Sequence, residues 1–195
     1  MNRQITFGQY RAIDLIILSI VLAGCQFATH MAANFWFPEQ LYVVSPVAGM
    51  TALVMMRWSA WAAIPAALGG VFFALLSGGG GMHFLIYPLG NLCSLAALML
   101  LKAWGKENVR KDSFRSVVFA IGVQLLMQLG RAALAAVLGL GAEACLGFIT
   151  TDVLSVLFTV LIVWTVRRID GLFEDQKIYL LRIQKEQQVE RREQF

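Results

Sequence analysis

Residues 123–138 read VQLLMQLGRAALAAVL. The run is apolar, yet Gln124, Gln128 and Arg131 recur along it at i, i+4 and i+7. On a helix those three positions share one face. Arg131 alone among the 16 Lys and Arg residues falls well inside an apolar segment. A charge at that depth in a bilayer costs about 2.5–3.5 kcal/mol or more and is turned toward a protein interior or a cavity. The stretch therefore predicts a membrane helix with a polar face.

Composition extends that reading to the whole chain. Of 195 residues, 58% are hydrophobic and only 14% are charged, against about 25% charged in soluble domains. The mean hydropathy is +0.68. The formal charge of +4 then reads as an excess of Lys and Arg on the cytoplasmic side. No basic stripe interleaved with exposed aromatics is present, so nucleic acid is not an expected partner. Nothing resembles a removable signal peptide. Cys25, Cys93 and Cys145 form no C-x-x-C pair and are expected as small buried hydrophobes.

Working outward, apolar runs predict six spans, at about 13–34, 41–56, 59–77, 83–101, 116–138 and 147–166. The expected fold is an all-α integral membrane six-helix bundle. Residues 1–168 form the membrane domain and 169–195 a charged cytoplasmic helical tail continuing from the sixth span. Arg3, Arg11, Arg57, the basic residues of Lys102–Arg115, and Arg167 and Arg168 all fall on one side. The loops Phe35–Gln40, Gly78–Met82 and Gly139–Leu146 carry no Lys or Arg. By the positive-inside rule both termini are cytoplasmic, in a cell membrane.

The polar groups of the spans gather toward the other side. Arg131, Gln128, Asp152, Asn91, His83, Asn34 and His30 all fall within about 15 Å of the outer surface, at 1.5 Å per helical residue. Asp14 is the main polar group of the inner halves. Such groups need partners or water, which points to a polar cavity open to the outside. Trp36, Tyr87, Phe35, Phe37, Tyr42, Phe84 and Phe148 belong to the same side, as interfacial belt residues or as pocket walls. Apolar walls with a few convergent polar groups suit a small molecule, and Arg131 suits a carboxylate or phosphate. The same residues also read as a lock, with Arg131 and Asp152 pairing to hold two helices. His30 and His83 have no metal-site spacing, and no metal is expected. There is no nucleophile elbow, phosphate loop or metalloprotease helix, so no catalytic residue is assigned.

From Ile13 to about Arg168 the chain resembles the substrate-binding S components of energy-coupling factor (ECF) transporters. LYVVSPVAGMTALVMMRWSAWAAIPAALGGVFFALLSG, residues 41–78, is similar to that family's short second helix, basic turn and Ala/Gly-rich third helix. YPLGNLCSLAALMLL, residues 87–101, is similar to its Gly-Asn-Leu fourth helix. The resemblance implies a bacterial inner-membrane subunit for vitamin uptake, without enzymatic activity or a cofactor of its own. Its partners would be a small-molecule substrate, a transmembrane coupling subunit and a pair of ATPases that alone use ATP. The substrate-binding residues would be Arg131, Gln128, Asp152, Asn91, Asn34, Trp36, His83 and Tyr87. A small-residue stripe on the first helix would meet the coupling subunit. Ala28 and Ala32 fit its spelling, while Ser19 and Ala23 lie nearer its expected depth. Nickel- and cobalt-capturing members carry a histidine near the extreme N-terminus, and this chain has none there, so an organic substrate is implied. Two other readings remain open. One is a ligand-free scaffolding protein of cell-envelope assembly, similar to the small rod-shape-determining membrane protein. The other is a sensor whose C-terminal helix signals.

Overall fold

The computed structural model describes residues 6–36 and 44–193, with side chains as far as Glu190. Every regular element among them is helical. The elements are α1 (Phe7–Trp36), α2 (Val47–Trp58), α3 (Ala63–Leu76), α4 (Gly81–Leu92), α5 (Leu98–Trp104), α6 (Lys106–Lys111), α7 (Ser113–Val137), α8 (Ala142–Thr150), α9 (Val153–Val166) and α10 (Gln176–Glu193). A 3-10 turn joins α2 to α3 and another joins α4 to α5.

Five helical stretches are long and apolar enough to cross a membrane: Phe7–Trp36, Val47–Leu76, Gly81–Trp104, Ser113–Val137 and Ala142–Val166. The second of these doubles back on itself. A Cβ on Gly69 would lie 2.5 Å from Val47 Cγ1, although 22 residues of straight helix would separate the two by about 33 Å. The reversal is made at Ser59, whose φ of 53° lies in a region that non-glycine residues seldom occupy. Pro65 falls in the first turn of α3, where a missing N–H removes no helical hydrogen bond.

The bundle is apolar outside and buries a seam of polar groups within an otherwise apolar core. Ile16, Ile17 and Ile20 of α1 and Leu157 and Leu161 of α9 are exposed, while Gln26, Asn91, Gln124, Gln128, Arg131 and Asp152 are buried. Water would favour the reverse, so this distribution and the helix lengths point to a multi-pass membrane protein. Helix α2 is the hub, with all twelve residues buried. It packs against α7, α9, α3 and α1. Helix α7 packs in turn on α4, α8 and α9. The α4–α7 approach is close because both helices present glycine there: a Cβ on Gly90 would sit 2.7 Å from Arg131 Cα. The cysteines depart from expectation. Cys25 and Cys93 are exposed and Cys145 is half-buried, since their helix faces turn outward.

Two features differ from what the sequence predicts. The last apolar stretch is not one rod, because a turn at Thr151–Asp152 separates α8 from α9. Nor does the tail continue from α9. Residues 167–175 form an elbow that folds back onto the bundle, with Phe173, Glu174 and Gln176 buried. Gly171, at φ 72°, makes the bend. Charge pairing holds the elbow down: Glu174 accepts from Arg110 and Arg182, Asp175 from Lys106, and Gln176 from Tyr10. This gathers Arg57, Lys106, Arg110 and Arg167 at the end of the bundle that carries the start of α1 and the base of α10.

Candidate functional site

At the opposite end the polar face of α7 meets α9 and α4. Arg131 donates from Nε to Asn91 Oδ1 at 2.7 Å and from Nη1 to Asp152 Oδ2 at 2.9 Å. Arg131 and Asp152 are 4% and 2% exposed, so this ion pair is shielded from water. Gln124 donates to the same carboxylate oxygen at 2.9 Å, and its own carbonyl accepts from Thr159 at 3.1 Å. Gln128 donates to the backbone carbonyl of Asp152 at 3.2 Å. That carbonyl lies at the α8–α9 break, where it also accepts from the Ser155 N–H at 3.2 Å. Asn91 is held from behind by its own donation to Ala66 O at 2.9 Å. Four helices thus converge on one charge pair.

The network continues across the bundle. The Ser45 N–H donates to Ser155 Oγ at 2.9 Å, and Ser45 Oγ donates to Gln26 Oε1 at 3.1 Å. Ser155 follows Asp152 by one turn of α9. The entrance to α2 and the middle of α1 are therefore tied to the same seam.

Aromatic rings roof the pair. The Arg131 guanidinium lies 5.0 Å from the Tyr87 ring centroid, within cation–π range. Tyr87 contacts Phe73 at 4.5 Å, Phe148 at 5.6 Å edge-on and His83 at 5.8 Å stacked, between ring centroids. Between roof and floor lies a cavity of about 10 Å3 lined by Tyr87, Arg131, Phe148, Thr151 and Asp152. It is the size of one water molecule. Asp152 Oδ1 has no hydrogen-bond partner among the described residues.

Six of the expected binding residues are brought together here: Arg131, Gln128, Asp152, Asn91, Tyr87 and His83. Asn34 and Trp36 are not. Asn34 pairs with His30 on α1 at 3.0 Å. Trp36 lines a separate apolar groove of about 280 Å3 with Ala32, Val44 and Leu157. Phe37 and Tyr42 lie outside the described residues. Among the described residues no three His, Cys, Asp or Glu side chains come together to hold a metal.

The expected docking residues also divide. Ser19 and Ala23 line an apolar groove of about 520 Å3 between α1 and α3, with Leu15, Ile64 and Phe72 in its walls. Arg11 stacks over Trp61 in that groove, 4.2 Å from the ring centroid. Ala32 lines the smaller groove instead, and Ala28 is exposed.

Sequence reasoning missed a second, partly buried charge pair. Arg57 donates from Nε and Nη2 to the two carboxylate oxygens of Asp14, at 2.9 and 2.7 Å, and from Nη1 to Gly171 O and Leu172 O. Trp58 Nε1 donates to Asp14 as well. An acid inside the first apolar run and a base closing the second was the available signal. No protein-family model, curated protein or solved structure was found to match this chain.

Proposed function

We propose that the protein is the substrate-capture subunit of a micronutrient uptake transporter of the ECF kind. It has six spans, with α2 and α3 as the second and third and both termini cytoplasmic. The gathering of Arg57, Lys106, Arg110 and Arg167 at one end supports this orientation. The Arg131 site then opens outward. The observation that carries the reading is the buried Arg131–Asp152 pair under an aromatic roof, with a cavity between them. A small organic substrate binds there from outside. A transmembrane coupling subunit, driven by an ATPase pair, completes its delivery. The α1–α3 groove containing Ser19 and Ala23 is the docking face for that subunit. The chain carries out no chemistry itself and needs no cofactor.

Mass spectrometry of small molecules co-purified with the detergent-solubilised protein tests this, with Arg131→Ala alongside. A single compound held by the wild type and lost in the variant is the expected result. An empty wild type that no vitamin stabilises against heat would overturn it.

A ligand-free scaffolding role in cell-envelope assembly is the second reading. It is favoured by the cavity being only about 10 Å3 and by Arg131 being paired within the protein. Under that reading Arg131→Ala changes melting temperature and nothing else.

A further inference from the structure

A pocket for an anion needs uncompensated positive charge. This one does not have it. Among the described residues Arg131 is the sole cation lining the cavity, and Asp152 sits against it at 2.9 Å. An incoming carboxylate would place two like charges beside one guanidinium, in a medium where water cannot screen them. What the site lacks is a donor. Asp152 Oδ2 accepts from Arg131 and Gln124 and the Ser155 side chain also reaches the carboxylate, but among the described residues Oδ1 has no hydrogen-bond partner, and Asp152 lines the cavity. A buried acceptor left unpaired is destabilising, and a ligand N–H placed there relieves it. Arg131 makes its protein bonds through Nε and Nη1, which leaves Nη2 to donate to a ligand carbonyl. Tyr87 and Phe148, which meet edge to face, give the cavity its aromatic wall.

We propose that the Arg131–Asp152 cavity takes an uncharged heterocycle through an edge on which a ring N–H adjoins a C=O, the N–H to Asp152 Oδ1 and the C=O to Arg131, and that α8 moves aside to admit it. The ligand class rests on the capture reading and narrows it. The route follows from α8 itself. None of its nine residues is buried. It runs from Gly139, at φ 80°, and Gly141 on one side to the Thr151–Asp152 break on the other, and it carries Phe148. Displacing it removes one wall of the cavity and leaves α4, α7 and α9 in place.

Saturation-transfer difference NMR on the full-length detergent-solubilised protein tests the class with three probes: uracil, 1,3-dimethyluracil and benzoate. Uracil offers the N–H/C=O edge, its dimethyl form has the ring without the N–H, and benzoate is an anion of similar size. The expected result is saturation transfer to uracil, at least tenfold weaker binding of dimethyluracil, and no binding of benzoate. Asp152→Asn should abolish uracil binding and, by leaving Arg131 uncompensated, admit benzoate. A melting curve on each variant checks that it is folded. The wild-type panel alone is decisive should the variant fail that check. Benzoate binding as well as uracil, or dimethyluracil binding equally, would overturn the class. An Arg131-dependent anion among the co-purified molecules would also overturn it while leaving capture intact. No co-purified molecule and no transfer to any probe would remove both. Hydrogen exchange of the α8 amides, read by mass spectrometry with and without uracil, tests the route: exchange faster in α8 than in α7 and slowed by uracil is expected, and α8 as protected as α7 in the free protein would overturn it.

Discussion

The two ends of the bundle each bury an arginine against an aspartate, and they finish the job differently. At the basic end Arg57 engages both oxygens of Asp14, Trp58 adds a third donor, and the remaining Nη1 is taken by two elbow carbonyls. Each oxygen of that carboxylate has at least one donor. At the other end Arg131 meets Asp152 through one oxygen, the second oxygen has no hydrogen-bond partner among the described residues, and a small cavity lies beside it. Burial of a charge pair is therefore no mark of function in itself. The difference lies in what is left unsatisfied once the protein has made its own bonds.

The largest effect should come from opening the complete pair. Arg57→Ala strands Asp14 at a site where the elbow also loses its anchor. Removing one partner of a buried pair costs about 3–5 kcal/mol. Thermal unfolding in detergent should show a large fall in melting temperature, and Asp14→Ala should match it. Were Arg57→Ala no worse than an exposed substitution, the closed-lock description of that end would fail.

Next is Gly90→Val. Its side chain enters the space held by the Arg131 backbone, and overpacking of this kind costs about 1–3 kcal/mol. Because α4 and α7 are pushed apart, the Asn91–Arg131 bond should be lost and ligand retention with it. Retention of ligand in a folded Gly90→Val protein would show that Asn91 does not position Arg131.

Gln124→Leu should cost about 1–3 kcal/mol, since it takes a donor from the buried Asp152 and an acceptor from Thr159. Paired with Asp152→Ala in a double-mutant cycle, it should show clear coupling. Additive losses would mean that the two side chains act independently.

Glu174→Gln should be smaller, about 1 kcal/mol, because its partners Arg110 and Arg182 remain partly in water. The elbow should loosen, and trypsin should cut near Arg167 and Arg168 faster than in the wild type. Unchanged cleavage would assign the elbow's hold to Arg57, Lys106 and Tyr10.

Helix content and the apolar stretches were legible because period and length report directly on them. So was the core of the site: a 3.6-residue period places Gln124, Gln128 and Arg131 on one face whatever they meet. Asp152 was legible as an acid inside an apolar run. What the period does not encode is contact between elements distant in sequence. Arg57 stands at the edge of its apolar run, where an arginine equally well reaches out to the headgroups, and only the returning elbow buries it. Asn34 and Trp36 have the right depth for the cavity but lie on faces of α1 turned elsewhere. The α8–α9 break carries no Gly or Pro at Thr151–Asp152, so nothing local announces it; the Gln128 side chain that adds a second donor to the Asp152 carbonyl comes from another helix.

Helix α2 has a mechanical consequence. It is about 18 Å long, buried along its whole length, fixed at its far end by Arg57 to the elbow, and joined at its near end through Ser45 to Ser155. Interiors packed at crystal-like density have little slack. In engineering terms α2 is a strut between two joints, one on the elbow at Gly171 and the other, through Ser45, on Ser155, one helical turn from the aspartate whose second oxygen is still open.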